Sequence, residues 1–74
     1  MKRGFIEKYG LARSEWLYII SQRISNERDR EIFERAYLDG VPYEQVAAEF
    51  DMSVRQIKSI SQGIEKELLK HIVH

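Results

Sequence analysis

Between Tyr43 and Gln62 the chain reads YEQVAAEFDMSVRQIKSISQ, and its placing of apolar and small residues leaves few folds open. With Tyr43 as the first residue of a helix, Val46 is apolar and faces the core. Ala47 is small where a second helix, arriving steeply after a short turn, passes close overhead. Phe50 closes the first helix, and Asp51 holds a turn position that takes positive φ and is usually glycine. Met52 fills the space beneath the turn, Ser53 caps the second helix, and Ile57 and Ile60 pin that helix to the core. This is the spacing of a helix-turn-helix.

The rest of the chain reads as helix too. Phe5, Ile6 and Tyr9 have helical spacing over 2–9, and Gly10 is placed to end that segment. In SEWLYIISQRI, Ser14 is the expected N-cap, Glu15 stands in the first turn, and Trp16, Leu17, Ile19, Ile20 and Ile24 supply the apolar surface. A third helix is capped by Ser25 or Asn26, carries the stripe Ile32, Phe33, Ala36 and Tyr37, and stops at Asp39-Gly40. Pro42 opens the next helix, where its missing N–H does no harm. After the break at Asp51-Met52-Ser53, a long pattern runs from Val54 toward Val73, with Ile57, Ile60, Ile64, Leu68 and Ile72 on one stripe and Gly63 as an interruption that loosens or kinks it. The expectation is an all-α fold, a small bundle of four to five helices in one domain over 1–74. Residues 1–25 form N-terminal helices that cover the core or dimerise, and 26–74 carry the helix-turn-helix.

Composition narrows the function. With 74 residues there is room for one core. The chain lacks cysteine, so a disulfide framework and a Cys-based zinc site are excluded. No apolar run approaches the roughly 20 residues that span a bilayer, and Met1-Lys2-Arg3 is not followed by the apolar core of a signal peptide. A cytoplasmic protein with no membrane contact is expected. The 12 basic and 12 acidic side chains cancel, which argues against indiscriminate polyanion binding.

Charge distribution then matters more than charge. Val54, Arg55, Gln56, Lys58, Ser59, Ser61 and Gln62 are the positions of the second helix expected to point outward. From Met52 to Ile64 there are basic side chains, Arg55 and Lys58, and no acidic one, whereas Glu44, Glu49 and Asp51 lie on the preceding helix and turn. A major groove holds an α-helix, its phosphates repel carboxylates, and Arg and Gln match guanine and adenine edges. The expected function is sequence-selective binding of double-stranded DNA, with the recognition helix at about 53–63 in the major groove and transcriptional regulation as the outcome.

The stretch from Asp29 to the C-terminus resembles region four of the bacterial sigma-70 family. The likeness is carried by the helix with Ile32-Phe33 and Tyr37-Leu38, the turn Asp39-Gly40-Val41, the opening Tyr43-Glu44-Gln45-Val46-Ala47, and a long last helix ending in alternating Glu, Lys and Leu. The resemblance implies that Val54, Arg55, Gln56, Lys58, Ser59 and Gln62 face the groove, with Arg55 at a base edge and Lys58 nearer the phosphates. It places Ser53 and Tyr43 at the DNA backbone, and packs the helix beyond Gly63 back on the domain. Nothing in 1–25 resembles the other sigma regions, so a stand-alone bacterial or phage regulator is expected rather than a complete sigma factor.

Other residues carry weaker signals. His71 and His74 share a helix face but lack a third ligand, so no metal and no cofactor is expected. Glu31 with Glu34, and Glu65 with Glu67, flanked by Arg28, Arg30, Arg35, Lys66 and Lys70, read as surface ion pairs. No nucleophile, phosphate loop or acid–base pair stands out, so no enzymatic activity is expected. Trp16, Tyr18 and Ile20 are read first as core and alternatively as a homodimer or partner surface. The rival function is a protein-interaction module of the same fold that docks on RNA polymerase or a phage protein.

Overall fold

The computed structural model describes residues 9–72, with side chains to His71. The helix expected around Phe5 and Ile6, and His74 with its metal reading, lie outside the described residues. Tyr9 is helical and Gly10 turns at φ +66. Four α-helices follow: α1 at Arg13–Arg23, α2 at Glu27–Phe33, α3 at Tyr43–Phe50 and α4 at Val54–Ile72. A wide π-turn at Glu34–Leu38 extends α2. There is no strand among the described residues, and no helix of theirs is long and apolar enough to cross a membrane.

The core is one cluster. Trp16 and Ile20 of α1, Ile32 and Phe33 of α2, Ala36, Tyr37 and Leu38 of the π-turn, Val46 and Ala47 of α3, and Ile57, Ile64 and Leu68 of α4 are all buried. Helix α4 touches α1, α2 and α3, so it is the axle of the bundle. Phe33 and Tyr37 stack with ring centroids 4.4 Å apart, and Tyr9 meets Trp16 edge-on at 6.2 Å. The π-turn serves this packing. Its wider turn rotates the chain less per residue than an α-helix does, so the consecutive Ala36, Tyr37 and Leu38 all stay inward. The Asp39 N–H reaches the Glu34 carbonyl at 2.9 Å, the Val41 N–H returns to the Arg35 carbonyl at 3.0 Å, and Gly40 ends the segment at φ +72.

Several local expectations change. The N-cap of α1 is Ala12, not Ser14, because the Gly10 turn lets the helix begin earlier. Ala12 has no capping side chain, and the Glu15 carboxylate accepts its N–H at 2.8 Å instead. Asn26 caps α2, its side-chain oxygen accepting the Asp29 N–H at 3.1 Å. Ser61, expected outward, is fully buried. It stands four residues after Ile57 and three before Ile64, on the inward stripe, and its hydroxyl has no partner among the described residues. Trp16 and Ile20 are core, so of the proposed partner residues on α1 only Tyr18 stays at the surface, 66% exposed. Gly63 does not break α4, which runs through it.

A carboxylate–guanidinium network braces the bundle across α1, the π-turn and α3. Arg13 reaches Glu34 at 3.1 Å and Asp39 at 2.8 Å, while Arg35 reaches Asp39 at 3.0 Å and Glu49 at 2.7 Å. It ties α1, the π-turn and α3 together. The hydrogen bonds that Arg35 donates to Glu49 and Asp39 raise its guanidinium further. The same bond from Arg35 holds Glu49 below the usual carboxylate range. Burial pushes the Asp39 carboxyl up, but hydrogen bonds from Arg35 and Arg13 outweigh it and leave it lowered. Each pair is partly exposed, so water screens it and its individual contribution is small.

Predictions follow on stability. A Cβ built on Gly63 meets nothing within 4 Å, so Gly63→Ala is expected to stabilise the fold by about 1 kcal/mol, seen as a higher denaturant midpoint at unchanged slope. Asp39 and Glu49 hold protons less tightly folded than unfolded. Their contribution is therefore present above the ordinary carboxylate values of 3.8 and 4.5 and is lost as pH falls through the lower folded values. Thermal unfolding against pH is expected to show Tm falling in that acid window, less steeply in Glu49→Gln than in the parent.

Candidate nucleic-acid interface

The geometry of the interface begins with the turn between α3 and α4. Asp51 adopts φ 54 and ψ 47, the left-handed conformation its place in the spacing requires. Its N–H and that of Met52 return to the end of α3, Met52 donating to the Ala47 carbonyl at 2.9 Å. Chain reversal is completed within Asp51-Met52-Ser53, and Met52 packs against the core cluster. With Val46 and Ala47 buried on one side and Ile57 on the other, the rotation of α4 about its axis is set.

A reciprocal cap opens α4. The Gln56 N–H donates to Ser53 Oγ at 3.1 Å, and Gln56 Oε1 accepts the Ser53 N–H at 3.0 Å. Ser53 is therefore the N-cap that the spacing requires. Gln56 does more structural work than its sequence position suggests, because its amide oxygen is occupied in fixing the first turn.

Ser53, Val54, Arg55, Gln56, Lys58, Ser59 and Gln62 are all solvent-exposed. On a helical projection Arg55, Ser59 and Gln62 lie opposite the buried stripe, with Lys58 and Val54 on one flank and Gln56 on the other. Neither Arg55 nor Lys58 has a carboxylate partner among the described residues. In contrast, Glu34, Asp39 and Glu49 are engaged by arginines on another side.

Tyr43 is placed differently from the outward residues of α4. It is half-buried, and its hydroxyl lies 3.4 Å from that of Tyr37, which donates to Glu65 at 2.8 Å. Burial first, and then the bonds to Tyr43 and Glu65, push the Tyr37 phenol up. Glu65 thus anchors the second half of α4 to the π-turn rather than pairing with a neighbouring lysine.

The sequence reading missed Arg28. At the start of α2, it lines a shallow depression of about 440 Å³ together with Met52, Arg55, Gln56, Ser59 and Ile60. Its guanidinium also touches the adjacent Asp29 at 3.1 Å. Within the charge run Glu27-Arg28-Asp29-Arg30-Glu31 nothing distinguishes it, and only the fold brings it beside α4. With Lys58 on the opposite flank, cations border the outer face of α4 on both sides.

The family model described as Sigma-70, region 4 matches residues 26–60. No curated protein and no solved structure matches the chain. The matched span starts at the N-cap of α2, includes the π-turn, α3 and the left-handed turn, and ends at Ile60 within α4. Sigma-70 region 4 is a non-enzymatic helix-turn-helix that binds promoter DNA in transcription. The left-handed turn at Asp51 and the family match fall on one span, and over residues 26–60 the chain is similar to the helix-turn-helix of sigma-70 region 4.

Proposed function

We propose that this protein is a sequence-selective reader of double-stranded DNA and a cytoplasmic regulator of transcription in a bacterium or phage, with α4 entering the major groove at about 53–63. The observation that carries the reading is the outer face of α4. It is free of acid from Met52 to Ile64, offers Arg55 and Lys58 unpaired among the described residues, and is rotated outward by Ile57, Ile64 and Leu68. A carboxylate on that face would meet phosphate repulsion, and a protein with no net charge has kept its carboxylates elsewhere.

Roles follow from position. Arg55, opposite the buried stripe, presents a forked donor to a guanine edge. Ser59 and Gln62 continue the same line toward the bases. Lys58 and Arg28, on the two flanks, meet phosphates on either side of the groove. Ser53 and Tyr43 stand at the mouth of the motif, where a sugar–phosphate strand passes. Gln56 acts there chiefly through its amide nitrogen, since its oxygen is held in the cap.

A second reading is supported by the zero net charge and by Tyr18, exposed on α1. In it the N-terminal segment 1–25 docks on a protein such as RNA polymerase or a phage component, or on a second copy that places two recognition helices on successive turns of a duplex.

Duplex binding across a salt series separates these readings. Lys58→Ala and Arg28→Ala are each expected to weaken binding to all sequences and to reduce the slope of log K against log salt by about one. Arg55→Ala is expected to cost about 1–3 kcal/mol on the preferred sequence and to relax preference at one base pair. Parent-like binding by all three variants would remove this face from the interface. For the symmetric arrangement, sedimentation of the free protein is expected to show concentration-dependent dimerisation that Tyr18→Ala weakens; a monomer at high concentration would exclude it.

A further inference from the structure

One residue on the outer face of α4 is out of keeping with its neighbours. Arg55, Gln56, Lys58, Ser59 and Gln62 are polar, but Val54 is apolar and 39% exposed. Among the described residues Val54 and Tyr18 are the exposed large hydrophobic side chains, and Tyr18 is on α1. Val54 is not part of the core cluster or of the shell packed against it. A β-branched residue also has a lower helix propensity than most of its alternatives. The core therefore does not account for a valine here.

Two features prepare Val54 for contact. It is the first residue of α4, one position before Arg55, and the reciprocal bonds between Ser53 and Gln56 fix the backbone on both sides of it. Its χ1 is stiff, so its two methyl groups are presented with little rotamer freedom to lose on binding. Major-groove base edges are otherwise rows of donors and acceptors, and the apolar group among them is the pyrimidine C5-methyl.

We infer that Val54 is a specificity-determining residue that reads a pyrimidine C5-methyl group, next to the base pair contacted by Arg55. The inference rests on the proposal that α4 enters the groove. Thymine supplies this methyl in unmodified DNA and 5-methylcytosine supplies the same group in methylated DNA, so both sources enter the test.

The experiment starts with selection of a preferred duplex from a randomised pool by the parent protein. Each thymine of the selected duplex is then replaced singly by uracil, and each cytosine singly by 5-methylcytosine. Affinities are measured for the parent and for Val54→Ser, which suits the first turn of a helix and removes the apolar surface. Uracil at one position is expected to weaken the parent about fourfold, the effect of one buried methyl, and to leave Val54→Ser nearly unchanged. A gain with 5-methylcytosine at one position, again confined to the parent, would support the inference with the modified base as the source. A selected duplex indifferent to every methyl change, or one whose sensitivity persists in Val54→Ser, overturns this inference and leaves the DNA reading standing. A pool from which no sequence is enriched overturns both.

Discussion

The inward stripe of α4 is the constraint on which the remainder of the molecule depends. Ile57, Ile64 and Leu68 share one buried cluster with side chains from α1, α2, the π-turn and α3, and α4 packs on all three of the other helices. A domain of this size gains most of its stability from a single apolar cluster, at about 25 cal/mol for each Å² removed from water. Rotating α4 to turn a different face outward would expose several of those anchors at once. Its outer surface is thus set by packing, and is as rigid as the core behind it.

Charge is arranged around that axle rather than spread evenly. The carboxylates of Glu34, Asp39 and Glu49 are bound up with Arg13 and Arg35 on the α1–α3 side. The individual pairs contribute little, but they keep acid on one side and leave Arg55, Lys58 and Arg28 bordering another. A polyanion approaching a neutral chain would feel this separation at close range, within about 10 Å at ordinary salt. Such a surface favours contact at a chosen face over general attraction.

Much of this was legible in residues. The turn position at Asp51 could be assigned because the offsets of Val46, Ala47 and Ile57 leave one place for a reversal, and a left-handed residue belongs there. Ser53 as cap and the helical stripe of α4 followed from the same spacing. What escaped depends on distant chain. Ser61 was read as outward because it is polar, although its spacing from Ile57 and Ile64 put it on the inward stripe. Ala12 became a cap only because Glu15 reaches back to it. Arg28 lies in a charge run and gains meaning only when α2 sets it beside α4. The π-turn leaves no clear mark in sequence, since its cause is the demand that Ala36, Tyr37 and Leu38 all face the same cluster.

That wide turn makes the chain length between α2 and α3 part of the packing. Each residue of an ordinary α-helix advances the chain by about 100°, so a further residue beyond the one that the wide turn of Glu34–Leu38 already absorbs would misphase whatever comes after. Gly40 would point elsewhere, Arg35 and Asp39 would part company, and the reading head would be delivered to the scaffold a quarter-turn askew. Here the buried Ala36, Tyr37 and Leu38 tie residue identity to the core, and an insertion changes the timing of the whole assembly. A chain that keeps this architecture therefore needs both the inward side chains and the spacing of this segment.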